Sequence, residues 1–223
     1  MTRRRLLLGL LALVLAVAAS TTLLARAGAG SESCAVKGEQ AEERGVLVSG
    51  SGARVLVIGD SYAVGGGVLP DQSWPLRLPG RVRVDGFSGS GFTVGASPCG
   101  DVSYATRAAR ARLAGVDLVV VEGGLNDADQ PLADLEAGYE RLVRALGDRP
   151  VLVVGPPPAP LLPYDDVAAV DATLARLAAA RGTPYLSMLD VELSYLPDLL
   201  HPDAAGHRVF GDRVAERVRE LLR

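Results

Sequence analysis

The sequence predicts an α/β fold in which a parallel sheet is covered by helices on both faces. Short apolar runs rich in valine alternate with longer segments whose apolar residues recur at helical spacing. Because several runs are apolar at consecutive positions, they are typical of strands buried on both faces. The ligand site of such a sheet lies at the carboxyl ends of its strands. The residues that follow each strand are therefore the first candidates for function.

The predicted strands and helices alternate between Arg54 and the C-terminus. The predicted strands span residues 54–58, 82–84, 117–121, 151–154 and 185–189. The predicted helices span residues 102–113, 132–146, 165–181 and about 204–222. Three of these helices stop at a glycine, which commonly follows the last helical turn because it adopts left-handed backbone angles. The alternation favours one domain over residues 54–223, without a second domain or an internal repeat.

The N-terminus has the pattern of a secretory signal peptide over residues 1–27. Arginines near the start are followed by an uncharged apolar run from Leu6 to Ala25 and by the small-x-small sequence Ala25-Arg26-Ala27. The arginines also loosely resemble a twin-arginine signal. An uncleaved membrane anchor is the alternative, because the apolar run is long enough to cross a bilayer. We expect a secreted or extracytoplasmic protein of the cell envelope, which meets a membrane only through this segment if the segment is not cleaved.

The segment that follows, residues 28–53, predicts a linker that leads into the domain. It is rich in glycine, serine and charged residues and has no sustained apolar period. The chain has two cysteines, Cys34 and Cys99. An even number in an exported protein suggests a disulfide between them, and two unpaired thiols are the alternative.

Composition excludes several classes of function. Hydrophobic residues make up 48% of the chain, which is too many for a disordered protein. Beyond residue 27 the chain carries 19 basic and 26 acidic residues, so we expect no basic face and no nucleic-acid partner. The histidines and cysteines do not have the spacing of a zinc site, and the sequence has neither a Walker A motif nor a dinucleotide fingerprint. No metal ion or cofactor is therefore expected.

Chemically useful side chains follow several of the predicted strands. Ser61 stands just after the first strand, Asn126 follows the third, and Asp198 and His201 precede the last helix. A serine hydroxyl becomes an effective nucleophile when a neighbouring imidazole accepts its proton, and His201 is the candidate base. Asp198 lies three residues before His201, close enough to bond its other ring nitrogen. This combination predicts acyl transfer through a covalent intermediate on Ser61.

The tetrahedral intermediate of acyl transfer needs hydrogen-bond donors for its oxyanion. The candidates are the Ser61 N–H, a glycine N–H from residues 85–93 and the side-chain amide of Asn126. Glycine suits this role because it has no side chain to obstruct a close approach to the backbone.

Three short blocks of this sequence resemble those of the SGNH/GDSL hydrolase family. Gly59-Asp60-Ser61 is similar to the GDS block, Gly124-Leu125-Asn126-Asp127 to the G-x-N-D block, and Asp198-Leu199-Leu200-His201-Pro202 to the D-x-x-H-P block. The blocks occur in the family's order within residues 54–222. The resemblance implies a flavodoxin-like, three-layer α/β/α sandwich with a central parallel sheet and the activity of an esterase or lipase.

The resemblance also implies roles for individual residues. It implies a catalytic triad of Ser61, Asp198 and His201, and an oxyanion hole formed by Ser61, Gly91 and Asn126. Gly91 precedes Phe92-Thr93 and so matches the family's G-x-T pattern best, with Gly89 as the alternative. In the family, the block that contains this oxyanion glycine normally opens with asparagine. This chain has Asp85-Gly86 at the corresponding place.

Other polar residues of the same region are interpreted as structural. His207 falls inside the last helix, Asp203 is expected to cap that helix, and Asp127 and Asp129 are interpreted as loop acids. The expected protein is a monomeric ester hydrolase that acts on a small-molecule, glycan or lipid ester. Two alternatives stay open: an acyltransferase acting on cell-envelope sugars, and an exported binding protein on the same fold without turnover.

Overall fold

The computed structural model describes residues 33–223. The chain divides into two units, Met1–Lys37 and Gly38–Arg223. In the first unit, the described residues 33–37 are helical. The predicted signal peptide, residues 1–27, lies outside the described residues. Within residues 33–223, no helix is both long and apolar enough to span a membrane.

A six-stranded sheet forms the centre of the second unit as the structure describes it. Its strands are β1 (Val48–Ser49), β2 (Arg54–Gly59), β3 (Arg81–Gly86), β4 (Leu118–Glu122), β5 (Val151–Val154) and β6 (Tyr185–Leu186). They lie in the order β1-β3-β2-β4-β5-β6, with β1 antiparallel to β3 and the other strands parallel. The five parallel strands have the flavodoxin-like order, which reverses at β2 and opens a crevice at its carboxyl end.

Helices connect the strands and cover the sheet. They are α1 (residues 38–46), α2 (Ser61–Val64), α3 (Tyr104–Arg110), α4 (Leu132–Leu146), α5 (Tyr164–Ala180) and α6 (Ala204–Leu221). Short 3₁₀ segments occur at Pro70–Gln72, Trp74–Arg77 and Leu125–Asp127. The predicted fold class, an α/β sandwich around a central parallel sheet, is confirmed.

The core has two parts, one on each face of the sheet, because successive side chains of a strand point to opposite faces. Val55 and Val57 of β2 pack on the face that α6 covers through Phe210. Leu56 and Ile58 pack on the other face, where α4 contributes Leu135 and Leu142 among other residues. These four apolar side chains of β2 are 0–2% exposed. The continuous apolar run of this strand is therefore explained by helices on both sides.

Two predicted elements are shorter than expected. The strand predicted at 185–189 ends at Leu186, and the hydroxyl of Ser187 instead donates to Asp171 Oδ2 of α5 at 3.0 Å. The helix predicted at 102–113 spans only Tyr104–Arg110, and Ala111 is already extended.

Regular structure also occurs within residues 28–53, the segment predicted as a linker. Residues 38–46 form α1, and β1 pairs with the edge of β3. Arg44 of α1 is only 5% exposed, and its Nη2 donates weakly to the hydroxyl of Ser73 at 3.5 Å. Contacts with the folded domain, rather than an apolar repeat in the segment itself, stabilise these elements.

Candidate active site

Ser61 lies at the turn between the end of β2 and α2. Oδ1 of Asp60 accepts a hydrogen bond from the N–H of Tyr62 at 2.9 Å and so caps this short helix. An ideal Cβ at Gly59 would lie 2.7 Å from both the Ala63 Cβ and Glu122 Oε2. Glycine is therefore required at residue 59 for the tight turn that presents Ser61 at the carboxyl end of the sheet.

A chain of hydrogen bonds joins Ser61 to His201 and Asp198. Nε2 of His201 lies 3.0 Å from Oγ of Ser61, and Nδ1 of His201 lies 2.7 Å from Oδ2 of Asp198. The hydrogen bond from the His201 ring, followed by that from the Leu200 N–H, lowers the pKa of Asp198 to about 2. The carboxylate is therefore ionised at neutral pH and can stabilise a protonated imidazole ring.

The loop that carries His201 is fixed at several points. Oδ1 of Asp198 accepts the N–H groups of Leu200 and His201 at 3.0 and 2.9 Å. The hydroxyl of Tyr62, the residue after Ser61, donates to the carbonyl of Leu200 at 2.6 Å. Because Tyr62 is 1% exposed, this bond anchors the loop to the buried side of α2. Sequence reasoning did not identify Tyr62.

The predicted oxyanion donors also come together. The side-chain amide of Asn126 donates to Oδ2 of Asp60 at 3.1 Å and to the carbonyl of Ser90 at 3.0 Å. Asn126 thus bridges the residues that immediately precede Ser61 and Gly91. The backbone N–H groups of Ser61 and Gly91 donate to no other protein group among the described residues. Both amide hydrogens of Asn126, in contrast, are already engaged.

Asp127 is a buried structural acid, and its interpretation as a loop acid is wrong. It is 0% exposed, and its carboxylate accepts the N–H groups of Phe92 and Thr93 at 3.0 and 2.8 Å. An ideal Cβ at Gly91 would press against both carboxylate oxygens of Asp127. Asp127 therefore shapes the loop that presents the Gly91 N–H, and glycine at residue 91 makes its close approach possible. The neighbouring Asp129 bonds Gln130 at the surface.

Arg107 of α3 joins the ends of two strands beneath the site. One guanidinium nitrogen donates to the carbonyl of Gly59 at 2.8 Å and to the hydroxyl of Ser90 at 3.0 Å. Another forms an ion pair with Asp85 at 2.7 Å. Asp85 belongs to the Asp85-Gly86 stretch, and this ion pair ties the end of β3 to α3. Nothing in the sequence around Arg107 indicated this role.

Two further carboxyl groups are buried behind Ser61. Burial raises the pKa of Asp60 to about 6 and raises the pKa of Glu122 well above its usual range. Glu122 is 1% exposed, and its Oε2 has no hydrogen-bond partner. The shift favours an uncharged Glu122, which adds no negative charge near a developing oxyanion.

The residues interpreted as structural lie outside the hydrogen-bonded chain. Asp203 caps α6, as predicted, by accepting the N–H groups of Ala205 and Gly206 at 2.9 and 2.8 Å. His207 is 0% exposed, and neither of its ring nitrogens has a hydrogen-bond partner. Among residues 33–223, no group of three or more His, Cys, Asp or Glu side chains could hold a metal ion.

Solved structures of esterases share this fold. A carbohydrate acetylesterase from Sinorhizobium meliloti is 19% identical with a TM-score of 0.62, and an aryl esterase from M. smegmatis is 21% identical with a TM-score of 0.60; each match covers 76% of this chain and 100% of the other. A family two carbohydrate esterase from Clostridium thermocellum, solved with cellohexaose, is 16% identical with a TM-score of 0.60, over 78% of this chain and 65% of that chain. At these identities the likeness establishes the fold alone.

Family membership follows from the sequence match. No curated protein matched the chain. Residues 57–209, which contain all three blocks, match the GDSL-like lipase/acylhydrolase family. The chain therefore belongs to the GDSL-like lipase/acylhydrolase family, which identifies it as a carboxylic ester hydrolase.

Proposed function

We propose that this protein is an exported serine esterase that cleaves carboxylic esters through an acyl-enzyme on Ser61. The observation that carries the proposal is the chain of hydrogen bonds from Asp198 through His201 to Ser61, at 2.7 and 3.0 Å. Ser61 is 8% exposed and lies at the crevice where the strand order reverses. A ligand in that crevice would meet the serine hydroxyl with a base already in hydrogen-bonding distance.

Acylation of the enzyme requires one proton to move twice. Oγ of Ser61 attacks the ester carbonyl carbon while Nε2 of His201 accepts the hydroxyl proton. The tetrahedral intermediate collapses as the C–O bond to the alcohol breaks, and His201 gives the proton to the departing oxygen. Water then attacks the acyl-enzyme while Nε2 of His201 accepts its proton. The bond from the acyl carbon to Oγ breaks, His201 returns the proton to Oγ, and the acid is released.

Stabilisation of the oxyanion is assigned to three donors. The N–H groups of Ser61 and Gly91 supply two, because neither donates to another group of the described chain. Asn126 supplies the third by exchanging its contact with the Ser90 carbonyl for one with the oxyanion.

Acetylated sugars and aryl esters are the first substrates to test, because a carbohydrate acetylesterase and an aryl esterase share this fold. An acyltransferase acting on cell-envelope sugars would use the same acyl-enzyme with a sugar hydroxyl in place of water. Comparison of product release in water with release in the presence of added carbohydrate distinguishes the two. A binding protein without turnover would not need the aligned hydroxyl, imidazole and carboxylate.

Turnover of a chromogenic acetate ester and labelling by a fluorophosphonate test the chemistry. We expect turnover, and we expect Ser61 to be the labelled residue in a peptide map. Labelling of another serine would refute the proposal. So would a folded protein that hydrolyses neither the chromogenic acetate ester nor any of the acetylated sugars and aryl esters.

Export is tested separately by the N-terminus of the protein isolated from the producing cell. The small-x-small sequence before Gly28 predicts a mature chain that begins near this residue, outside the cytoplasm. Recovery of the full-length chain from the cytoplasm would contradict export, and its recovery embedded in membrane would support the anchor instead.

A further inference from the structure

Two exposed leucines lie in the loops next to the base of the proposed triad. Leu161 and Leu199 are 56% and 50% exposed, although large apolar side chains are usually buried. We call these two residues the rim patch. The N–H of Leu161 donates to the carbonyl of Leu199 at 2.9 Å, which joins the loop after β5 to the loop that carries His201. The patch therefore lies at the same end of the sheet as Ser61.

The backbone at Leu199 makes a leucine there unexpected. Its φ is 58°, and it is the one non-glycine residue with positive φ among the described residues. This conformation directs the next two N–H groups back to Asp198, which in turn bonds His201. Glycine or asparagine would adopt it with less strain than leucine. The turn thus explains the backbone angle but not the exposed apolar side chain.

The position of the rim patch relative to His201 indicates which part of an ester it meets. His201 must lie within hydrogen-bonding distance of the departing alcohol oxygen in order to protonate it. Leu199 is two residues from His201, and the backbone of Leu161 is hydrogen-bonded to that of Leu199. The proposed oxyanion donors lie instead around Asp60 and Ser90. An apolar surface beside the base therefore adjoins the alcohol side of the scissile bond.

We infer that the rim patch binds the apolar part of the alcohol, so that the enzyme prefers esters of alkyl or aryl alcohols. This inference rests on the proposed function, and it names a substrate class for the same site. Removal of apolar surface from water stabilises such a complex in proportion to the area buried. Four additional methylene groups, each about half buried on an open patch, correspond to about tenfold in kcat/KM.

A pair of isomeric esters tests the inference. Hexyl acetate places the longer chain on the alcohol, and ethyl hexanoate places it on the acyl group; ethyl acetate is the common reference. We expect the wild-type protein to prefer hexyl acetate to ethyl acetate by about tenfold in kcat/KM. Leu161→Ser and Leu199→Asn, in which asparagine tolerates the positive φ, should each lower this ratio by about twofold to fourfold. The ratio of ethyl hexanoate to ethyl acetate should not change.

Val48→Ser is the matched control, because Val48 is also a half-exposed apolar residue, at 49%. It lies on β1, which pairs with the start of β3 and not with its carboxyl end. The control should keep the wild-type ratios. Unchanged ratios in both rim variants would overturn the inference, and so would a loss confined to ethyl hexanoate, which would place the patch on the acyl side. A wild-type protein that hydrolyses none of the three esters and leaves Ser61 unlabelled by a fluorophosphonate would refute the proposed function itself.

Discussion

Removal of the proposed nucleophile and of its proposed base tests whether Ser61 and His201 act as one unit. Ser61→Ala and His201→Ala each abolish the 3.0 Å contact between Oγ and Nε2. In the proposed mechanism no acyl-enzyme forms without Ser61, and without His201 the hydroxyl keeps its proton. We expect each variant to lose about 10⁴–10⁶ in kcat, and the double variant to lose little more, because members of one unit are not additive.

The loss expected for Asp198→Ala is smaller, and the structure explains why. The Asp198 side chain is 47% exposed, so water can replace part of its interaction with the ring. Loss of a buried triad aspartate costs about 10⁴ in kcat, and we expect about 10²–10³ at this exposed position. Part of that loss arises because the variant also lacks the hydrogen bonds that Asp198 accepts from the N–H groups of Leu200 and His201.

Initial rates on a chromogenic acetate ester, measured on variants with wild-type circular dichroism, provide the comparison. His207→Leu is the control, because it removes the other imidazole of the chain and retains an apolar side chain in the core. It should retain most of the activity. Inactivation of a folded His207→Leu protein together with an active His201→Ala protein would show that the wrong histidine has been assigned as base.

Three further predictions concern charge stabilisation, acid stability and the cysteines. Asn126→Ala should lower kcat by about 10²–10³ with little change in folding, the usual loss for one oxyanion donor; a variant with wild-type kcat would exclude this role. Burial lowers the pKa of His207 from 6.5 to about 4, so protonation of the unfolded chain removes about 3 kcal/mol of stability as the pH falls from 6.5 to 4. Urea unfolding at pH 7 and pH 4 should show a weaker pH dependence in His207→Leu, and an unchanged one would contradict the argument. No cysteine among residues 33–223 is free, and the predicted Cys34–Cys99 disulfide would contribute about 4 kcal/mol. Intact mass after alkylation without reductant should show no added groups, and two added groups would contradict it.

The parts of the fold that the sequence predicted well are those with a continuous local signal. The apolar runs at β2, β4 and β5 have no polar interruption, so their assignment as buried strands did not depend on distant contacts. Leu132–Leu146 was predicted with the bounds that the structure has, because its apolar stripe and the following glycine agree. The candidate site was predictable for a related reason. Each block follows a strand or precedes a helix. Because the carboxyl ends of parallel strands lie at the same edge of the sheet, the blocks are expected to come close together.

The missed residues depend on contacts between segments that are distant in sequence. Arg107 donates a hydrogen bond to the carbonyl of Gly59, which lies 48 positions away in the sequence. One arginine in an arginine-rich helix gives no local sequence signal for such a contact. Asp127 was within reach of prediction, since it belongs to the same block as Asn126, but its burial depends on the loop at Phe92 and Thr93. Sequence patterns record which face of an element is apolar and not which distant carbonyl a buried side chain will bond.

The engaged amide of Asn126 is compatible with catalysis and clarifies how it would act. In the structure its hydrogens are held by the Asp60 carboxyl and by the neutral carbonyl of Ser90, so both donors of this amide are satisfied. A hydrogen bond to a charged oxygen is about twice as strong as one to a neutral carbonyl. Exchange of the Ser90 contact for the oxyanion therefore becomes favourable only as negative charge develops on the substrate. An interaction that is stronger in the transition state than with the bound ester lowers the activation barrier without stabilising the bound ester.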